Sequence, residues 1–129
     1  MKRPAFVLGL LLYMAMRLSS LTSDFPKLTG PSLGQKPPGM TPEIFAPGIV
    51  SSAEFVDFKG SFSPDGKEYY FYRHSLPEII PKLLFTKIEN GAWTEPVPLK
   101  IAQGPRTAHP CVTDDNKWLL FTWTDRKRV

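Results

Sequence analysis

At 129 residues the chain has room for one small domain. Its net charge is +4, yet Lys2, Arg3 and Arg17 fall in the first 23 residues, which hold no acidic residue, and the remainder carries 13 basic against 12 acidic residues. The basic balance therefore belongs to the leader and argues against a nucleic-acid binder, while a single cysteine, Cys111, excludes an intrachain disulfide.

Residues 1–23 read as a secretory signal peptide: basic Lys2-Arg3, an apolar run from Ala5 to Met16, then small polar residues through Ser23, with cleavage expected after Ser20 or Ser23. About twelve apolar residues are too few for a spanning helix. No cysteine sits at the junction after the leader to carry a lipid. The expectation is export to the periplasm or the extracellular space, with no stable membrane insertion after cleavage. Residues 24–52 follow as a linker: Asp24 to Pro42 is rich in Pro, Gly, Ser and Thr and suits a coil that wraps the domain, and Glu43 to Val50 is expected to form a strand interrupted at Pro47-Gly48.

Ala53 to Ser63 begins the first four-stranded unit, assigned to residues 53–100, with Phe55, Phe58 and Phe62 available for packing. Glu68 to Arg73 is its second strand, Ser75 to Pro81 a loop and Lys82 to Ile88 its third strand. Asn90-Gly91 carries the preferred residues of a two-residue hairpin turn. The fourth strand, Trp93 to Leu99, contains Pro96 and Pro98, which cannot donate to a ladder and so place it at a sheet edge. Residues 101–129 form a second, shorter unit: Ile101 to Ala108 crosses over, Pro110 to Thr113 is an inner strand and Lys117 to Thr124 a second strand.

The chain is organised by a repeat at an offset of fifty. Phe62-Ser63-Pro64-Asp65-Gly66-Lys67-Glu68-Tyr69-Tyr70-Phe71 returns as Val112-Thr113-Asp114-Asp115-Asn116-Lys117-Trp118-Leu119-Leu120-Phe121. Asp65, Lys67 and Phe71 recur unchanged. Gly66 and Asn116 share a place, and both residue types accept positive φ at low steric cost. Each copy reads as strand, tight turn, strand, and the strand after each turn is apolar on both parities, which calls for cover on both faces. Short strands in a repeat of this length are the pattern of propeller blades. The fold class expected is all-β: a partial β-propeller of about one and a half four-stranded antiparallel blades after an N-terminal signal helix and coil.

Phe62-Ser63-Pro64-Asp65-Gly66-Lys67 before an aromatic strand resembles the "SPDGK" signature of the WD40-like PD40 repeats of TolB-type β-propellers. The run from Gly34 to Gly48 ahead of it is similar to the opening of exported bacterial PD40 proteins, and the resemblance spans about residues 34–124. It departs in the second copy, where Asp114 and Asn116 replace proline and glycine and leave the turn geometry open. The resemblance implies a non-enzymatic scaffold that binds a protein or a small ligand, with the segment 43–50 closing the ring; the alternative is the N-terminal part of a propeller-containing peptidase, hydrolase or lyase. One and a half blades fall short of a closed ring, so a truncated product with an exposed, self-associating blade edge is expected.

No nucleophile-and-base constellation is visible, and no cofactor or metal is implied. His74 at a strand end and His109 before an inner strand are the candidate binding residues, facing the central mouth of a propeller; the competing reading is two solvated loop histidines. Asp65, Asp114 and Asp115 are expected to bond turn backbone. Tyr69 to Tyr72, Trp118, Phe121 and Trp123 are expected to pack between blades rather than stack on sugars. Cys111 is expected to be a small buried apolar residue. Arg126-Lys127-Arg128 is a solvated charge run. Ser51-Ser52, Ser61 and Ser63 lack the glycine elbow of a hydrolase serine.

Overall fold

The computed structural model describes residues 24–75, 77, 80–104 and 106–124. The expected leader at 1–23 and the basic run at 126–128 lie outside the described residues. The fold is all-β and, in part, propeller-like. An antiparallel sheet runs β1 (Val56–Phe62), β2 (Glu68–Ser75), β3 (Ile80–Glu89) and then β4 (Ala92–Trp93), with β5 (Val97–Pro98) also pairing β3; a separate ribbon joins β6 (Arg106–Val112) to β7 (Leu119–Thr124). From β1 to β4 spatial order follows chain order, and each connection there is short enough to keep its neighbours antiparallel.

The fourth strand is a correction to the sequence reading. Trp93 to Leu99 is not continuous: β4 pairs the end of β3 across the Asn90-Gly91 turn, where φ is 52° and 78°, and β5 pairs Leu84 and Phe85 further along. Pro96 lies in the break and cannot donate to β3. Glu43 to Val50 is also no strand. Ala46 has φ 42° and its carbonyl accepts from the N–H groups of Ile49, Val50 and Ser51, a compact turn that leaves only an isolated bridge between Pro47 and Ser51. Within 75–81 the third strand starts earlier than expected, at Ile80.

The first sheet is covered on both faces by different parts of the chain. On one face Tyr69, Phe71, Leu84 and Trp93 form a core with Leu33, Ala46 and Val50 from the N-terminal coil. Phe71 is fully buried, and burying a phenyl ring of this size contributes about 1.5–3 kcal/mol. The coil is also tied by polar contacts. Arg73 pairs with Asp57 across β1 and β2 and donates from Nη2 to the carbonyls of Ile49, at 2.9 Å, and Val50. Trp93 donates from its backbone N–H to Leu28 and from its indole N–H to Gly30.

On the opposite face Tyr72 and Leu83 pack with Ala102, Ala108, Leu119 and Phe121 of the second unit. Three polar contacts lock this interface: the Leu83 N–H donates to the buried Thr107 hydroxyl at 3.1 Å, the Val112 N–H to the Ser61 hydroxyl at 3.1 Å, and Lys82 to the Gly104 carbonyl. No helix among the described residues is long and apolar enough to cross a membrane.

The repeat extends further than the sequence match. β1 and β2 pair Val56 with His74, Asp57 with Arg73, Phe58 with Tyr72, Ser61 with Tyr70 and Phe62 with Tyr69, with an irregularity between Phe58 and Gly60. Adding fifty to each number gives the pairs of β6 and β7: Arg106 with Thr124, Thr107 with Trp123, Ala108 with Thr122, Cys111 with Leu120 and Val112 with Leu119, with the irregularity again after Ala108; the sixth pair of the first hairpin, Gly60 with Phe71, has no counterpart, its place being taken by Pro110, which has no N–H to donate. The repeating unit is thus a whole bulged hairpin.

Candidate binding site

Both tight turns are built by one side-chain bridge. In the first, the Ser63 hydroxyl donates to Asp65 Oδ1 at 2.6 Å and accepts from the Glu68 N–H at 2.9 Å, while Asp65 Oδ1 accepts from the Lys67 N–H at 3.1 Å. In the second, Thr113 donates to Asp115 Oδ1 at 2.6 Å and accepts from the Trp118 N–H at 3.1 Å, and Asp115 accepts from Lys117 at 3.2 Å. Gly66 and Asn116 lie at φ 70° and 58°. Asparagine therefore closes the turn as glycine does, and the replacement of Pro64 by Asp114 changes none of these bonds.

These bonds hold the Asp65 and Asp115 carboxyls below their ordinary range, chiefly through the Ser63 and Thr113 hydroxyls and next through the Lys67 and Lys117 backbone. Their role is structural. Ser61, Ser52 and Ser63 are likewise committed to backbone or to Asp57 and Asp65.

The two candidate histidines are brought together by an aromatic residue that the sequence reading had assigned to packing alone. Phe58 on β1 stacks on Tyr72 of β2 with ring centroids 5.3 Å apart and planes 9° from parallel. His74 lies 4.8 Å from the Phe58 ring and 5.6 Å from Tyr72; His109 approaches Tyr72 from β6 at 5.2 Å. Phe58, Tyr72 and His74 share a sheet face because Phe58 opposes Tyr72 and His74 stands two residues on. Counted from the turn at Asp65-Gly66 alone, Phe58 would stand opposite Arg73; the irregularity between Phe58 and Gly60 moves it opposite Tyr72, and that shift has no signal in the sequence. Neither histidine is a loop residue: His74 is in β2, and His109 sits at φ 54° in the bulge of β6.

The bulge aims the His109 ring. Its Nδ1 lies 3.1 Å from the Thr122 hydroxyl, which donates to the Ala108 carbonyl at 3.0 Å. With that hydroxyl proton committed, the Thr122 oxygen accepts, which puts the proton of a neutral His109 on Nδ1 and leaves Nε2 as an acceptor. Burial lowers the pKa of His74, helped by the nearby Arg106 charge, so His74 is neutral at pH 7. The result is an aromatic cluster in which the exposed Phe58 ring lies over the buried Tyr72 ring, with two imidazoles beside them and the outer face of Phe58 open. Such a surface can stack on a planar group and exchange hydrogen bonds at its rim.

Among the described residues no group of three or more His, Cys, Asp and Glu could hold a metal ion. A hollow of about 290 Å³ lies on the coil side, between Gln35, Lys36, Glu43, Phe45 and Phe62. Gln35 is spoken for there, donating to Ile44 and accepting from the Ala46 N–H. Cys111, expected to be buried, is exposed, because it faces outward opposite Leu120 on the uncovered side of the second unit.

No family model, curated protein or solved structure matches the chain. Among the described residues the class is an all-β, partly propeller-like fold of one five-stranded sheet, its last two strands short and both paired with β3, and a two-stranded ribbon.

Proposed function

We propose that the chain is an exported, non-enzymatic propeller segment of the PD40/TolB type that serves as a binding scaffold, with Phe58, His74 and His109 as its contact face over the buried Tyr72 ring. The observation supporting it is the turn bridge repeated at an offset of fifty, Ser63-Asp65 and Thr113-Asp115, within hairpins of one register. A repeated rigid hairpin presents side chains from several strands at one place, which suits recognition of a protein or small molecule carrying a planar apolar group. Burial, which lowers the pKa of His74, favours an uncharged or weakly polar partner over an anion beside that ring.

Imidazole resonances of the labelled protein test the contact face. Titration with indole and with tyrosine amide should shift His74 and His109 saturably, and Phe58→Ala should abolish the response. Unmoved imidazole signals at millimolar probe would overturn the reading. Export is tested by fusing residues 1–52 to a reporter that is active only outside the cytoplasm; an inactive, intracellular fusion would remove that part.

A further inference from the structure

The coil-side hollow is walled by residues between 32 and 62. Its floor is aromatic: Phe45 meets Phe62 edge to face at 6.0 Å, and both rings pack on Tyr69, at 5.4 and 4.4 Å. Phe45 and Phe62 are only partly buried, so apolar surface is left for a ligand to cover. The walls come from the two ends of one loop. Ser32, Leu33 and Gly34 turn at φ 52°, 54° and 75°, with Leu33 seated in the core and Gln35 at the base of the loop. Gln35 clasps the far end, donating to the Ile44 carbonyl at 3.0 Å and accepting from the Ala46 N–H at 2.7 Å. Between these points residues 36–43 include Pro37, Pro38 and Pro42, each with its φ fixed by the ring, which preorganises the walls.

Lys36 and Glu43 are the first and last residues of that loop, and both line the hollow. Among the described residues they form no ion pair, with each other or elsewhere. The volume, about 290 Å³, is that of roughly ten waters at ~30 Å³ each and stands at the lower end of ligand sites. An anion here would gain Lys36 and oppose Glu43, and a cation the reverse, whereas a small molecule carrying both signs gains both contacts. We propose that the hollow binds one free α-amino acid with an apolar side chain. Its side chain covers Phe45 and Phe62, its ammonium lies beside Glu43 and its carboxylate beside Lys36. This site is separate from the Phe58 face and independent of the scaffold reading.

Amide spectra of the full chain titrated with L-leucine test it. Saturable shifts at Ser32, Gln35, Lys36, Phe45 and Phe62 are expected at about millimolar ligand, with the imidazole signals of His74 and His109 unmoved. Lys36→Gln and Glu43→Gln, both at exposed positions, should each weaken leucine about threefold, the size of one solvent-screened charge contact. Leucinamide, which lacks the carboxylate, should be indifferent to Lys36→Gln. N-acetyl-leucine, which lacks the ammonium, should be indifferent to Glu43→Gln, and the two probes together assign each charge. The absence of a saturable shift at tens of millimolar leucine overturns the proposal. Equal binding of leucine, leucinamide and N-acetyl-leucine also overturns it, since the hollow would then be an apolar crevice without charge recognition. So do leucine-induced shifts that fall on His74 and His109 in place of the loop.

Discussion

Ser63 and Thr113 each hold an aspartate Oδ1 and a backbone N–H at nearly the same distances, yet Ser63 is 2% exposed and Thr113 half-buried. Phe71 is enclosed completely, whereas its counterpart Phe121 is only partly covered. The local geometry of a hairpin is therefore set by its own turn and bulge. How much each bond and ring stabilises is set by what lies over it: the first hairpin has β3 beside it and cover on both faces, the second has cover on one.

Truncating the paired rings gives the sharpest contrast. Phe71→Ala should cost about 3–5 kcal/mol, as for a fully enclosed ring that leaves a cavity, and Phe121→Ala about 1 kcal/mol, because water already reaches it. Urea denaturation of both variants measures this, and equal losses would mean that the second face is covered in solution.

Gly60 and Pro110 are counterparts in the two bulges, and their neighbours explain the difference. A Cβ on Gly60 would meet the phenol of Tyr69, whereas Pro110 has the smaller Leu119 at the corresponding place. Gly60→Ala should destabilise by about 1–3 kcal/mol. The double variant with Tyr69→Leu should cost less than the two single losses added, since each change removes the other's conflict. Strict additivity in thermal melts would show that the ring is not the obstacle.

Ser63→Ala strips a buried bridge and leaves Asp65 and the Glu68 N–H without it, an effect of about 1–3 kcal/mol. Thr113→Ala should cost about 0.5–1 kcal/mol, since water replaces the hydroxyl at an open turn. Amide exchange at Glu68 and Trp118 reads the two turns separately.

The smallest effect is that of acid. Asp65 and Asp115 are depressed below 3.8 in the folded chain, so their contribution is complete above that value and is lost as pH falls through the lower folded value. His74, depressed below 6.5, loses its contribution from pH 6.5 down to its own folded value, because the unfolded ring binds the proton first. Melting temperature should thus decline in two stages between pH 7 and 2. Asp65→Asn should shrink the lower stage, and His74→Phe the upper one.

Much of this was legible in the chain itself. The turn at Asp65-Gly66, the strand order and the Asn90-Gly91 hairpin are short-range features, and short-range chemistry decides them. Asp114 and Asn116 left the second turn open in sequence, but Thr113 and Asp115 carry its bonds. The coil at 43–50 was misread because Ala46 adopts positive φ, which its side chain does not announce. The aromatic cluster joining His74 to His109 depends on docking one hairpin against another. Only the bulge at His109 and the packing on Tyr72 bring those rings together, and neither has a local signal.

The Trp93 indole reaches a carbonyl 63 positions away, at Gly30, from a position shielded from water, while Trp118 and Trp123 are largely solvated. Blue-shifted emission from Trp93 thus monitors whether the N-terminal coil is seated, and red emission from the other two monitors the opposite end. Heating the protein while following both bands would show which covering layer peels away first, without any attached dye.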